Sequence, residues 1–156
     1  MKKWICLLGL CLLLMGCSLA PQDASKDRTE ESGMMQIGNP LQEVASLEEL
    51  ENQLGYTVPV LDKEITAYIV LAVDDTTSMG CIDYSDGTSF RMQKGSGDIS
   101  GIYGGTLESD MEIDTVTVSY YTMEDLRYAL WEKDGFTYSL VGGASLENDV
   151  QPLINA

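Results

Sequence analysis

The sequence predicts an α+β domain on a single antiparallel, curved β-sheet, with a short helix near its start and another at its C-terminus. Three observations carry this. Asp86-Gly87 separates the apolar-rich runs Met79–Ser85 and Thr88–Gln93, and Asp134-Gly135 separates Leu126–Lys133 from Phe136–Val141. Asp-Gly in that setting marks a hairpin, because a tight primed turn needs backbone at positive φ. Ile65–Val73 (ITAYIVLAV) is dense enough in β-branched and apolar residues to form a central strand. Ser46-Leu47-Glu48-Glu49 has the spacing of a capping box. Leu47, Leu50 and Leu54 then form an apolar stripe and Gly55 a stop, which together describe one short helix.

The remaining elements follow in order. Asn39-Pro40 reads as a turn before the first helix, and Tyr56–Val60 is a short apolar run after it. Ile113–Tyr121 reads as one strand, from the alternation of Val116, Val118 and Tyr120. Met123–Lys133 (MEDLRYALWEK) carries two patterns. It is rich in helix formers, with Thr122 and Asp125 available as caps. As a strand it places Arg127, Ala129, Trp131 and Lys133 on one face and Leu126, Tyr128 and Leu130 on the other. Asp134-Gly135 and the strand-like FTYSLV behind it favour the strand, which sets Trp131 beside Tyr138 as a cross-strand core pair. The final helix starts at Ser145, and Pro152 is expected to disturb its later part.

Ahead of this domain the chain changes character. Lys2 and Lys3 precede an uncharged apolar run from Trp4 to Met15, too short for the roughly 20 residues of a membrane span. The run ends in Leu14-Met15-Gly16-Cys17, which resembles the bacterial lipobox. That resemblance implies a signal peptide over residues 1–16, diacylglycerol on the Cys17 sulfur, cleavage after Gly16, and acylation of the new amino terminus by a palmitate-type chain. Ser18–Gly33 is polar and lacks an apolar period, so residues 17–33 read as a lipidated, flexible tether. Residues 34–156 form one globular domain, with no internal repeat. Cys6 and Cys11 leave with the signal peptide and Cys17 carries lipid. Cys81 is left alone, so the domain rests on a core without an internal disulfide.

Phe90–Tyr103 (FRMQKGSGDISGIY) holds the densest motif. Phe90-Arg91, Lys94-Gly95, Asp98-Ile99-Ser100-Gly101 and Tyr103 resemble the signature of a family of small uncharacterised domains. These occur in bacterial envelope lipoproteins and in the extracytoplasmic parts of anti-sigma-factor-like proteins. Ala129, Trp131, Asp134-Gly135, Tyr138-Ser139, and the Asn39-Pro40 opening with its Ser46 helix also match. The resemblance implies a fold and no particular activity. Lys94, Gly95, Gly97, Asp98, Ile99, Ser100, Gly101 and Tyr103 are therefore the candidate recognition or structural loop. The structural reading has glycines supplying positive φ while Asp98 and Ser100 bond nearby amides. Lys94 and Arg91 are expected to pair with surface carboxylates. Ser100-Gly101-Ile102-Tyr103 is also similar to a short serine-glycine-tyrosine loop of bacterial lysozyme inhibitors.

Composition narrows the function. With 25 acidic and 9 basic residues the formal charge is −16, which argues against nucleic acid and anionic lipid headgroups and suits a basic protein partner. No histidine exists to build a Ser-His-Asp or Cys-His pair or to ligate a metal. Asp83–Gly87 lacks calcium-loop spacing, and the Gly95–Gly101 segment lacks the ending of a phosphate loop. Carboxylate pairs such as Asp74-Asp75 and Glu124-Asp125 read as turn residues. No cofactor, metal or catalytic residue is implied. The expectation is an exported lipoprotein held at the outer face of the cytoplasmic membrane, or at an outer membrane where one exists, with a non-catalytic interaction or sensing domain. The alternative is a small apolar or lipidic ligand on the curved sheet, since both faces of the Asp134 hairpin hold apolar residues. Inhibition of a basic wall hydrolase is the third reading.

Replacing Cys17 by serine is expected to abolish incorporation of a fatty-acid analogue and to leave the signal peptide attached. Equal metabolic labelling of wild type and Cys17→Ser would overturn the lipobox assignment.

Overall fold

A computed structural model describes residues 40–74, 76–143 and 146–156, and the fold occupies the unit Ile37–Ala156. The domain start at Met34, the tether, the signal peptide with Cys17, Asp75 and Ser145 lie outside the described residues. The fold is α+β, with one open antiparallel sheet of eight strands. In chain order its elements are β1 (Leu41–Val44), α1 (Leu47–Leu54), β2 (Ile65–Ala72), β3 (Ser78–Tyr84) and β4 (Ser89–Lys94). Then come β5 (Thr106–Ile113), β6 (Val116–Met123), β7 (Leu126–Lys133), β8 (Phe136–Gly142) and α2 (Leu146–Asn155). The spatial order is β1-β2-β3-β4-β8-β7-β6-β5, so two four-stranded meanders meet where β4 pairs with β8.

α1 forms as its sequence dictates. Ser46 is extended and its hydroxyl accepts the Glu49 N–H at 3.2 Å. The Glu49 carboxylate reaches back to the Ala45 N–H at 2.9 Å. Gly55 closes the helix at φ 76 and donates to the Glu51 carbonyl at 2.8 Å. Leu50 is fully buried, and Leu54 lies directly over Gly80 of β3. A Cβ on Gly80 would stand 2.6 Å from the Leu54 methyl, so this glycine is what lets α1 settle onto the sheet.

The core lies between the two helices and one face of the sheet. Val70, Ile82, Phe90, Met92, Tyr120, Trp131, Tyr138 and Leu140 meet Leu50 of α1 and Leu146, Val150, Leu153 and Ile154 of α2. Trp131 lies opposite Tyr138 with rings stacked at 5.3 Å and 3°, and Phe90 sits 6.3 Å from each. Met123–Lys133 is a turn and a strand, as its neighbours predict.

Four expectations are corrected. Ile113–Tyr121 is not one strand, because the chain reverses at Asp114-Thr115, with Asp114 at φ 57, and Ile113 pairs with Val116. The strand before that turn, β5, is exposed nearly throughout, so it lacks the buried alternation that would announce it. Asp86-Gly87 closes the expected hairpin between β3 and β4, but not through a two-residue primed turn. Tyr84 donates to the Thr88 carbonyl across three residues, and only Gly87 of the pair has positive φ. Asp134-Gly135 does form the primed turn, with φ 53 and 81. Ile65–Ala72 is next to the edge rather than central, with β1 paired only to Tyr68–Leu71, and Val70 is its one buried residue. Finally, α2 runs through Pro152 to Asn155. Leu153 and Ile154 are buried beyond it, and this packing offsets the missing N–H.

Two cations staple α2 to the sheet. Lys63 donates to Asp149 at 2.6 Å and to Asp86 at 2.8 Å, while Arg127 donates to Glu147 at 2.7 Å and to Glu108 at 2.9 Å. The Lys63 ammonium, aided by the Thr88 amide, holds the Asp86 carboxyl down at about 2, against an ordinary 3.8. A depressed carboxyl stabilises the fold above its unfolded pKa, and that contribution disappears as the pH falls through the folded one. Between pH 4 and 2 the melting temperature is therefore expected to fall less steeply for Asp86→Asn than for wild type. Parallel slopes in thermal melts would show the staple to be inert.

Candidate functional site

The face opposite the helices is treated differently along its width. Over β4, β8 and part of β7 it is roofed by residues 95–105, which carry the chain from the sheet centre to its far edge. Arg91 alternates with the core residues Phe90 and Met92 and so projects on this second face. Its guanidinium Nη1 donates to the Ile99 carbonyl at 3.2 Å and to the Ser100 carbonyl. Arg91 is thus held by carbonyls, rather than by the surface carboxylates expected for it. The main chain can approach so closely because Gly101, at φ +70, has no Cβ; one would collide with Nη1. Gly105 likewise lies against the Tyr128 hydroxyl.

The rest of the loop satisfies itself. Asp98 accepts the Ser100 N–H at 2.8 Å, and the Ser100 hydroxyl accepts the Ile102 N–H at 3.1 Å. Gly95 donates to the Gly135 carbonyl at 2.9 Å and accepts from the Thr137 hydroxyl at 2.7 Å. These are the Asp98 and Ser100 contacts that the structural reading requires. Ser100 is 1 % exposed, so the serine of the inhibitor-like loop faces inward, while Tyr103 is 89 % exposed. Ile99 is only half-buried, and Arg91 with Ser100 pins the loop in its place. Gly97 has positive φ with open space around it, and Lys94 is exposed beside Tyr56 and Phe136. Under the roof, Arg91 Nε and its cross-strand neighbour Ser139 Oγ are buried without a protein partner among the described residues. Burial pushes the Cys81 thiol up to about 11, so it is protonated at neutral pH.

Beyond the loop the face opens. A groove of about 660 Å³ separates the loop from β6 and β7, lined by Asp98, Ile102, Thr117, Ser119, Tyr121, Leu130 and Glu132 among others. Its hydroxyls and carboxylates suit hydrogen bonding and do not make the dry hollow a lipidic ligand needs. Alongside it runs an apolar stripe that sequence reasoning missed. Leu107 lies opposite Tyr121, Tyr121 opposite Tyr128 with rings stacked at 4.9 Å, and Met123 opposite Leu126. Leu107, Met123 and Leu126 are 49 %, 38 % and 39 % exposed. Glu124 and Asp125 lie in the turn between Met123 and Leu126, and Asp110 stands opposite Ser119, two residues along β6 from Tyr121, so exposed carboxylates flank the stripe. Its signal was the period-two spacing of Leu126, Tyr128 and Leu130, which required β5 and β6 to be placed before its neighbours could be known. No three His, Cys, Asp or Glu side chains among the described residues are grouped to hold a metal, and no described helix is long and apolar enough to cross a membrane. No protein-family model, curated protein or solved structure matches the chain.

Gly101→Val is expected to destabilise the domain by about 2 kcal/mol or more, since positive φ and the Arg91 collision act together. Ser100→Ala is expected to cost on the order of 1 kcal/mol, one hydrogen bond. Denaturant melts decide between scaffold and recognition loop. Variants that unfold like wild type would remove the structural role from the loop.

Proposed function

We propose that this protein is a lipid-anchored, non-catalytic interaction domain at the outer face of the bacterial envelope, which engages a protein partner through the open end of the β5–β6–β7 face. The observation that carries the reading is the exposed stripe Leu107, Tyr121, Met123 and Leu126, bordered by carboxylates. Apolar surface rimmed by charge is the usual make-up of a protein contact, with burial supplying affinity and the rim selecting the partner. The lipobox-like Leu14–Cys17 and the polar tether supply the location, holding the domain close to a bilayer that its acidity gives it no reason to bind. The net charge of −16 points to a basic partner. A lipidic ligand is less well supported, because the groove beside the stripe is lined for hydrogen bonds.

The double substitution Met123→Glu and Leu126→Glu places charge in the stripe at two exposed turn-flanking positions. Stability is expected to change by no more than about 0.5 kcal/mol, as is usual at the surface. Photo-crosslinking in cells, from an apolar probe residue at Leu107, is expected to trap a partner in wild type and at least tenfold less in the double variant. Equal trapping in both would overturn the assignment of this face.

A further inference from the structure

We propose that the open edge of β5 is a strand-addition site for a basic, extended polypeptide segment with apolar side chains at alternate positions. The proposal rests on the reading that the β5–β7 end is a protein-binding face, and it adds the partner's backbone geometry and charge. β5 is the last strand of the sheet, and among the described residues it pairs with β6 alone. Its register slips between Leu107 and Ser109 and then runs without a break from Ser109 to Ile113. The opposite edge, β1, is only four residues long. An unpaired strand edge presents main-chain donors and acceptors that another extended chain can match, while side chains at every second position choose which chain.

The chemistry of the edge selects the occupant. Between Lys94 and Arg127 the sequence contains no basic residue. Glu108, displaced by the register slip, is taken by Arg127. Asp110 and Glu112 stay exposed on the open face, with Asp110 oriented by the Ser119 hydroxyl at 2.6 Å. A second copy of β5 would set carboxylates against carboxylates, so self-pairing is opposed by the same charges that attract a cationic strand. By the period of two, lysines or arginines of an added strand would lie beside Asp110 and Glu112 on the open face, and its alternate apolar residues beside Met111 and Ile113 on the other.

The test uses the full-length chain in detergent micelles and a ten-residue peptide of alternating lysine and valine. Two comparison peptides replace lysine by glutamate or carry N-methyl groups on every amide. The lysine peptide is expected to bind and to slow hydrogen exchange at the β5 amides not already bonded to β6. N-methylation is expected to weaken binding at least tenfold, and the glutamate peptide is expected not to bind. Asp110→Lys with Glu112→Lys is expected to weaken the lysine peptide at least tenfold and to favour the glutamate peptide. Should that double variant fail to fold, the three-peptide comparison on wild type decides. Failure of the lysine peptide to bind, protection elsewhere than β5, or equal binding of the N-methylated peptide each overturns strand addition. If the N-methylated peptide binds equally and Met123→Glu with Leu126→Glu weakens both, strand addition fails while the apolar face keeps its role. If that variant weakens neither and also leaves the cellular cross-link intact, both readings fall.

Discussion

The contact between the Arg91 guanidinium and the carbonyls of Ile99 and Ser100 decides what the second face of the sheet can be. Two helices cover one face, and the other face still carries Cys81, Met79, Ser139 and Tyr128 in buried positions. Over Ser139 and Tyr128 a loop forms the roof, and a loop has its own polar backbone to satisfy. Arg91 provides donors where the carbonyls turn inward, while Asp98 and Ser100 accept amide protons from within the loop. The close approach works only because position 101 has no side chain. From this one contact follow the path of the chain to the far edge, the groove beside the loop, and the bare end of the face.

Charge is distributed with the same economy. Lys63 and Arg127 each bridge two carboxylates and tie α2 to the sheet, and Lys133 caps the carbonyl of Ile154 near the end of α2. These cations therefore hold the helix and neutralise acids on the helical side. The open face receives none, since no lysine or arginine falls between Lys94 and Arg127. The resulting asymmetry concentrates uncompensated negative charge around the apolar stripe. On the proposed reading, a field of that sign raises the encounter rate with a basic partner and discourages self-association.

Sequence reasoning succeeded where local chemistry is decisive. Ser46, Glu49 and Gly55 build α1 from contacts within about ten residues, and Asp134-Gly135 sets a hairpin whose two φ values only a few residue types adopt. Trp131 and Tyr138 follow from that turn by counting. It failed where identity depends on neighbours distant in sequence. β5 is an edge strand with almost no buried residue, so its composition is that of a loop, and the Asp114 turn lies inside a stretch whose apolar alternation looks continuous. The candidate loop was legible as a motif, yet Arg91's role was not, because its partners lie across a bend.

The α+β class, the first helix, the Asp134 hairpin and the acidic character are readable from the sequence alone, because each rests on contacts or composition local to the chain. Only the tertiary structure decided that two meanders join at β4 and β8, that Pro152 is tolerated, and that β2 sits near an edge. It also decided that Leu107, Tyr121, Met123 and Leu126 share one exposed surface. The reason is physical: the side of a strand that is buried depends on which elements cover it. That covering is set by packing between segments tens of residues apart, which no local pattern encodes.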